Sequence, residues 1–448
     1  MPYSRERMKI VQALGWYYPE SLGGTEVYVA GLSRRLQRAG HAVLIAAPDP
    51  QHGDERTYEH DGMPVYRYPI PRVPTREESQ GTARVRGAER FHTWLERQRP
   101  DVVHVHTFVT GLGLAELRAA KASGARVIVT THSSSLGYIC QRGTMMRWGE
   151  SLCDGVCIAT KCAACELQHR GLPKGLASVV ARLPPAIGKI SGRVPGKLGS
   201  ALGMSALIVR NQAMQRELVS TVDKFVLLTQ WAFDAVVANG APRQRLALNR
   251  LGISHEHLPI KPAPEQQPTQ TPITVGYLGR FDPIKGVYDL ARAVASLPRN
   301  VALHVELRGP LNGDDDRRQL NELRRIVNDD PRITVAPPVS ADKVAKVLAG
   351  YDLLCCPAAC VEGGPTAAIE AHAVGTPVIG TRIGGLAELI TDGENGRLVP
   401  PGDWRALATV LRDVAADPGK TIDRWRRALP PVRTMDEIAA DYLAQYAA

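Results

Sequence analysis

Twice along its 448 residues the chain repeats one rhythm: a short apolar run, a glycine-bearing loop, then a helix-patterned stretch. That repeat constrains the fold more than any other feature. Strands alternating with helices in this way read as parallel sheets covered on both faces, and a chain this long exceeds what one hydrophobic core usually supports. We therefore expect an α/β fold of two doubly wound, Rossmann-like domains. In the first half, Lys9 to Leu14 reads as a strand, Thr25 to Ala39 as a helix closed by Gly40, and Ala42 to Ala46 as the next strand. Val27, Ala30, Gly31 and Leu36 give that helix one inward stripe. Asp101 to His106, Arg126 to Thr131 and Lys224 to Leu228 continue the strands. The first domain is placed at residues 1–257, with an irregular insertion at about 133–221 that is rich in Gly, Pro, Cys and basic residues. Residues 258–272 are Pro/Gln-rich, lack periodicity and read as a linker. The second domain spans 273–425, and 426–448 form a helical tail.

Inside the second domain one segment reads Cys360-Val361-Glu362-Gly363-Gly364-Pro365-Thr366-Ala367-Ala368-Ile369-Glu370-Ala371. Pro365 suits the first turn of a helix, where its missing N–H has no intrahelical partner. Gly363 and Gly364 then leave bare amides at the positive end of the helix dipole. Glu362 lies in that loop, and Glu370 stands about 7–8 Å along the helix axis at ~1.5 Å per residue. One molecule with hydroxyls at two places and an anionic group between them could span both carboxylates. A sugar nucleotide has that layout. A surface turn followed by a helix with an exposed glutamate has the same spacing, so the neighbourhood decides. Upstream, Leu353-Leu354-Cys355-Cys356-Pro357 ends a buried strand. Downstream, Gly375-Thr376-Pro377-Val378-Ile379-Gly380 begins the next, and Gly384-Gly385-Leu386-Ala387-Glu388 opens another loop and helix.

Together these segments resemble the donor-binding core of the retaining glycosyltransferases of the GT-B fold, specifically the large family 4, the glycogen-synthase-like enzymes also called glycosyl transferases group 1. The resemblance implies two domains facing a cleft, and a last helix that crosses back onto the first domain. It also implies a donor diphosphate gripped by Arg280 and Lys285 of Gly276-Tyr277-Leu278-Gly279-Arg280-Phe281-Asp282-Pro283-Ile284-Lys285-Gly286. Fixed cations there would neutralise the charge that gathers on the departing diphosphate. Gly23-Gly24, at a helix start, would cover the phosphates, and His132 of Val129-Thr130-Thr131-His132-Ser133 matches the family histidine beside the reacting sugar. Glu362 is expected at the sugar ring and Glu370 at the nucleotide ribose, with Gly363, Gly364, Pro365 and Thr366 lining the donor site. The run Gly364-Pro365-Thr366 departs from the family's more usual phenylalanine-containing run, which leaves sugar and base unassigned. Catalysis is expected to require no cofactor. His104 and His106 are expected to be structural and to point to opposite faces of their strand, with His106 nearer the cleft.

Five cysteines, Cys140, Cys153, Cys157, Cys162 and Cys165, fall inside the insertion. A disulfide framework is not expected in a cytosolic protein, so a structural zinc is the natural expectation. A subset of the family carries a similar insertion, and the matching positions are Cys140, Cys153, Cys162 and Cys165, with Cys157 as substitute or spare. An iron–sulfur cluster and plain thiols are the alternatives.

The net charge of +10 asks for an anionic partner: nucleic acid, acidic phospholipid or phosphorylated substrate. The chain has no zinc-finger, basic-zipper or aromatic RNA-binding motif, which argues against nucleic acid. From Gly171 to Arg216 it carries Lys174, Arg182, Lys189, Arg193, Lys197, Arg210 and Arg216 among apolar residues and no acid. That stretch is either a solvated helical face or a surface for an anionic membrane. The polar start at Met1 to Lys9 does not resemble a signal peptide, and the expected location is cytoplasmic, including the inner membrane surface. The expected donor is a nucleoside-diphosphate sugar, and the acceptor a glycan, a lipid-linked glycan or a small molecule. The alternatives are a sugar-nucleotide epimerase or hydrolase on the same fold, and a non-enzymatic basic protein that binds membrane or nucleic acid.

Overall fold

The structure, a computed structural model, describes residues 7–21, 23–188, 194, 196–253, 272–311 and 314–448. The linker read at 258–272 thus lies, except for its last residue, outside the described residues. The chain divides into two compact units: Met1–Gly143 with Asp154–Arg250 and Thr434–Ala448, and Thr144–Cys153 with Leu251–Arg433.

In the first unit, strands β1 (Lys9–Ala13), β2 (Ala42–Asp49), β3 (Arg56–His60), β4 (Met63–Pro69), β5 (Val102–Val105) and β6 (Arg126–Thr130) build most of one sheet. A two-stranded ribbon, β7 (Met146–Arg147) with β8 (Ser151–Leu152), follows in the chain but belongs to the second unit, and then β9 (Lys224–Leu227) and β10 (Leu246–Leu248) complete the first sheet. Its order is β10-β9-β6-β5-β1-β2-β4-β3, parallel except for the antiparallel β3/β4 pair. The Val- and Ile-rich runs of β1, β5 and β6 are almost wholly buried, as central parallel strands must be. Asp61-Gly62 turns the β3/β4 hairpin with φ of 49° and 71°, the two positive values that an Asp-Gly pair accommodates.

The second unit holds β11 (Ile273–Leu278), β12 (Leu303–Arg308), β13 (Ile333–Ala336), β14 (Leu353–Cys356), β15 (Val378–Thr381) and β16 (Gly396–Val399), all parallel, in the order β13-β12-β11-β14-β15-β16. The winding reverses between β11 and β14. In such sheets the crevice beyond the carboxyl ends of the two strands at the reversal is where ligands bind. The first sheet reverses likewise between β1 and β5.

Several sequence expectations shift. The insertion is mostly helical among its described residues. Its longest helix, Met204–Thr221, buries Met204, Ile208, Asn211, Gln215 and Leu218, a helical period masked by the polar members of the stripe. Thr144–Cys153, from the middle of the insertion, groups with the second unit, because the Thr144 carbonyl accepts a 2.9 Å hydrogen bond from the Val361 amide. The helix Pro418–Arg427 also stays with the second unit, where Trp425 is 1% exposed, so the tail read at 426–448 begins late. Only Thr434–Ala448 belongs to the first unit. There the helix Met435–Ala447 covers a second face of the helix Gly24–Arg38, with Arg35 Nε 3.3 Å from Asp436 Oδ1. The first helix therefore buries Tyr28, Val29 and Leu32 in addition to Ala30, Gly31 and Leu36 of the stripe read from sequence, whereas Val27 is only partly buried.

Candidate functional site

Two loops leave the second sheet at its reversal point. The first follows β11 and carries Arg280 and Lys285. Tyr277 Oη donates to the Arg280 carbonyl at 2.6 Å, and Asp282 Oδ1 accepts from the Ile284 amide at 3.0 Å, which starts the short 3-10 turn Pro283–Lys285. Gly286 ends that turn with φ +74°, and a Cβ there would lie 1.9 Å from the Pro357 carbonyl oxygen, so only glycine fits. The Ala359 amide donates to the Ile284 carbonyl at 2.8 Å, tying this loop to the one that follows β14.

That second loop carries Glu362. Its backbone is pinned on both sides, by the Val361 amide on Thr144 and by the Gly385 amide, which donates to the Glu362 carbonyl at 3.1 Å. The Lys285 ammonium donates directly to Glu362 Oε1, so the two residues form an ion pair. Burial opposes the charge on Lys285, but the neighbouring carboxylate outweighs it and holds the ammonium above its usual range. Burial also pushes the adjacent Cys360 thiol up to about 11. Arg280 is 57% exposed, its Nη1 3.6 Å from Asp282 Oδ2.

Past Glu362, the helix runs Thr366–Ala373, and Pro365 is its N-cap, one position earlier than expected. The Thr366 amide turns back onto the Gly364 carbonyl at 2.9 Å. A Cβ on Gly364 would fall 1.9 Å from Leu251 Cδ1, so this glycine is required by a close approach. No acceptor lies on the amides of Gly363 and Gly364 among the described residues. Glu370 is half-buried one turn before the helix end. His372 is 4% exposed with neither ring nitrogen hydrogen-bonded, and burial lowers its pKa to about 4.

In the first unit, Gly23 is the N-cap of Gly24–Arg38. The carboxylate of Glu26 folds against it, in space that a Gly23 side chain would occupy, and receives the Ser21 hydroxyl at 2.7 Å. The helix start assigned to phosphate thus carries its own carboxylate, favourable at a helix N-terminus. His132 follows β6. Its Nε2 is 3.2 Å from His106 Nδ1, its ring meets Tyr28 edge-on at 4.9 Å, and burial lowers its pKa to about 4. His104 and His106 do not point to opposite faces. Their ring centroids are 4.0 Å apart, because positions i and i+2 of a strand share a face. Around them runs a buried polar chain. His106 Nε2 meets Gln12 Oε1 at 2.7 Å, Gln12 Nε2 donates to Tyr446 Oη at 3.4 Å, and Tyr446 Oη is 2.6 Å from His104 Nδ1. His104 Nε2 is 2.8 Å from Thr130 Oγ1, itself 2.8 Å from Tyr442 Oη, to which Tyr28 donates at 3.0 Å.

A cavity of about 1000 Å³ opens in the same unit beside the loops that follow β5 and β6. Phe108, Leu114 and Met214 give it apolar walls, and Ser135 brings it to the loop that starts at His132. Arg118 on its rim is paired with Glu217. Arg84 and Arg210 have no carboxylate partner among the described residues, and Arg210 has only Gln80 Oε1 at 3.4 Å. Burial lowers the pKa of Arg210, so this arginine is not on the open basic face read from the sequence. Lys174, Arg182, Lys197 and Arg216 are exposed, with Leu176, Val179 and Leu198 exposed among them. Lys189 and Arg193 lie outside the described residues.

Of the cysteines, Cys157 is brought against Cys162. The hydrogen bond between their thiols, then burial, push the Cys157 thiol far above its usual range, and Cys140 adds to the effect. Cys157 thus lies beside Cys162, a position from which it could substitute for a ligand. Cys153 falls in the segment that joins the second unit. Among the described residues no group of three or more His, Cys, Asp or Glu is placed to hold a metal ion.

Residues 23–252 match the family described as glycosyl transferase 4-like domain, and residues 261–429 match glycosyl transferases group 1. The chain belongs to the family 4 glycosyltransferases. Within this family, it is 33% identical over 158 residues to a D-inositol 3-phosphate glycosyltransferase of Rhodococcus jostii, a match covering 34% of each chain. The match thus spans about a third of the length of that curated relative. Among solved structures, a sucrose-phosphate synthase from Thermosynechococcus elongatus superposes with a TM-score of 0.66 at 20% identity, over 98% of both chains. HepE from Anabaena, in complex with UDP and glucose, gives a TM-score of 0.60 at 13% identity, over 98% of this chain and all of that one (100%). These likenesses establish the GT-B fold, two parallel-sheet α/β domains.

For this family 4 chain, then, the motif residues separate into two groups. Arg280, Lys285, Glu362, Gly363, Gly364, Pro365, Thr366 and Glu370 lie on the two switch-point loops and the following helix of the second unit. Gly23, Gly24 and His132 lie in the first. Sequence reasoning missed Gln12, Tyr28, Tyr442 and Tyr446, which surround the histidines. A polar Gln12 inside Ile10–Leu14 and two tyrosines four apart on the tail were the available signals.

Proposed function

We propose that the chain transfers a sugar from a nucleoside-diphosphate sugar to a hydroxyl of an acceptor, with retention at the anomeric carbon. The observation that carries this reading is the ion pair Lys285–Glu362 at the reversal point of the second sheet. A cation and a carboxylate held side by side match the two charges of a glycosyl transfer. Negative charge gathers on the departing diphosphate, where Lys285 and Arg280 would stabilise it, and positive charge develops on the sugar ring, where Glu362 would. The bare amides of Gly363 and Gly364 would add dipoles to the diphosphate, and Glu370 would accept from the ribose hydroxyls. His132 of the first unit, neutral at physiological pH, would contact the reacting sugar. The UDP and glucose named with the HepE structure support a nucleotide-sugar donor. Nucleotide release measured with and without acceptor tests the reading: a transferase requires the acceptor, whereas an epimerase or hydrolase turns the donor over alone.

The acceptor reading rests on the cavity of the first unit. Its two arginines, Arg84 and Arg210, without carboxylate partners among the described residues, suit an anionic acceptor, and the relative's name supplies a phosphorylated polyol as a probe. With D-inositol 3-phosphate, Arg210→Gln is expected to raise the acceptor KM about tenfold, the loss of one charge-assisted hydrogen bond, and to leave donor binding unchanged. An unchanged KM would remove Arg210 from acceptor recognition. The exposed Lys174, Arg182 and Lys197, set among exposed Leu176, Val179 and Leu198, support a peripheral location on anionic membrane. No helix among the described residues is long and apolar enough to cross one. Co-sedimentation with anionic vesicles that fails to exceed that with neutral ones would remove the membrane reading.

A further inference from the structure

Gln12 is a fully buried amide in the centre of an apolar strand, and its hydrogen bonds determine where protons sit two residues away. A carbonyl oxygen cannot donate. Gln12 Oε1, 2.7 Å from His106 Nε2, therefore requires the proton on that nitrogen. A neutral imidazole carries one N–H, so His106 Nδ1 is the acceptor, and the 3.2 Å contact to His132 is made by a proton on His132 Nε2. Burial keeps both rings neutral. We infer that Gln12, acting through His106, holds His132 as its Nε2–H tautomer and so leaves Nδ1 to accept a hydrogen bond from a substrate hydroxyl.

The tail of the chain continues the same order of donors and acceptors. Tyr446 Oη has one proton. It accepts from Gln12 Nε2 and gives its proton to His104 Nδ1, whose Nε2–H then donates to Thr130 Oγ1. If the Gln12 amide were turned over, its NH2 would face His106 Nε2. The proton would then move to His106 Nδ1, His132 Nε2 would become an acceptor, and His132 Nδ1 would become a donor. The orientation of the Gln12 amide thus decides whether His132 Nδ1 accepts or donates. Gln12, His106 and Tyr446 are positioning residues; only His132 is assigned to the substrate. The inference rests on the glycosyl-transfer reading above.

The test is nitrogen NMR of the full-length chain labelled with 15N-histidine, with His132 assigned by its loss in His132→Gln. The wild type is expected to show an unprotonated Nδ1 and a protonated Nε2 at His132. Gln12→Met should populate both tautomers at His106 and His132 and lower kcat about tenfold, with the donor KM changed less than about twofold. Tyr446→Phe should act in the same direction. A merely structural role would lower the melting temperature without moving tautomer populations. A protonated His132 Nδ1 in the wild type would overturn the inference without any variant, and so would a Gln12→Met protein that keeps both the tautomer and kcat. Nucleoside-diphosphate binding on the same samples separates the two failures. If no nucleotide binds, the transferase reading falls; if it binds and the tautomer is reversed, only this inference falls.

Discussion

Lys285→Ala is expected to lower kcat about 100-fold and to weaken nucleoside-diphosphate binding, while the fold survives. A charge-assisted hydrogen bond contributes roughly 1.5–3 kcal/mol, and each 1.4 kcal/mol is about a factor of ten. One lost bond at the upper end of that range gives the 100-fold, and the unpaired Glu362 adds to the loss of nucleotide binding. The wild-type carboxylate is paired with Lys285 and only 17% exposed. Without the lysine, its uncompensated charge would stand beside the loop that has to hold a diphosphate. Glu362→Gln separates the two contributions. The side chain keeps its shape and an oxygen for Lys285, so nucleoside diphosphates should bind at least as well as to the wild type. The developing charge on the sugar loses its counter-charge, and kcat should again fall about 100-fold. Steady-state kinetics with nucleotide titrations check both. A Lys285→Ala enzyme within about threefold of wild type would remove Lys285 from the reaction.

Acid is expected to destabilise the protein well before its carboxylates titrate. His132 and His372 have their pKa lowered from 6.5 to about 4 by burial, and His104 and His106 are also held well below their usual range. The sign follows from proton uptake. Below pH 6.5 the unfolded chain binds protons at these positions and the folded chain does not, so stability is full above that pH and falls as the pH drops toward 4. A histidine moved from 6.5 to about 4 costs roughly 3 kcal/mol once the pH is below the lower value. His372 is the best single probe, because both its nitrogens are buried without partners. Urea midpoints should be level above about pH 6.5 and fall from there to pH 5 in the wild type, and fall less steeply in His372→Leu. Equal slopes would mean that His372 is hydrated in solution. Activity should not show a pKa near 6.5 from His132, whose neutral form persists down to about pH 4.

Much of the second unit was legible because its chemistry is local. Arg280 and Lys285 follow one strand and Glu362 another, and glycines mark the turns at which each strand hands its loop to the crevice. Gly286 and Gly364 were readable as turn residues, but the reasons that bind them, Pro357 and Leu251, are contacts no spacing encodes. The direct pairing of Lys285 with Glu362 was likewise out of reach, since it depends on β11 and β14 being neighbours in a sheet whose order is not the sequence order. The first unit was harder. Its histidine cluster is closed by Tyr442 and Tyr446, more than 300 residues away in sequence (|i−j| = 312 from Thr130 and 342 from His104). The period-two rule, misapplied to His104 and His106, hid that they stack on one face. In the insertion, polar Asn211 and Gln215 occupy the buried stripe of Met204–Thr221 and made a regular helix read as irregular.

If the second unit holds a nucleoside diphosphate as a leaving group, nucleotides should stabilise the fold through it. Melting is followed with UDP, GDP, ADP and TDP, for the wild type and for Lys285→Ala. A ligand at 100 times its Kd stabilises by about 2.7 kcal/mol. At least one of these diphosphates is expected to raise the melting temperature of the wild type, and Lys285→Ala to abolish most of the shift. No shift with any of them at millimolar concentration, or an equal shift in the variant, would contradict it.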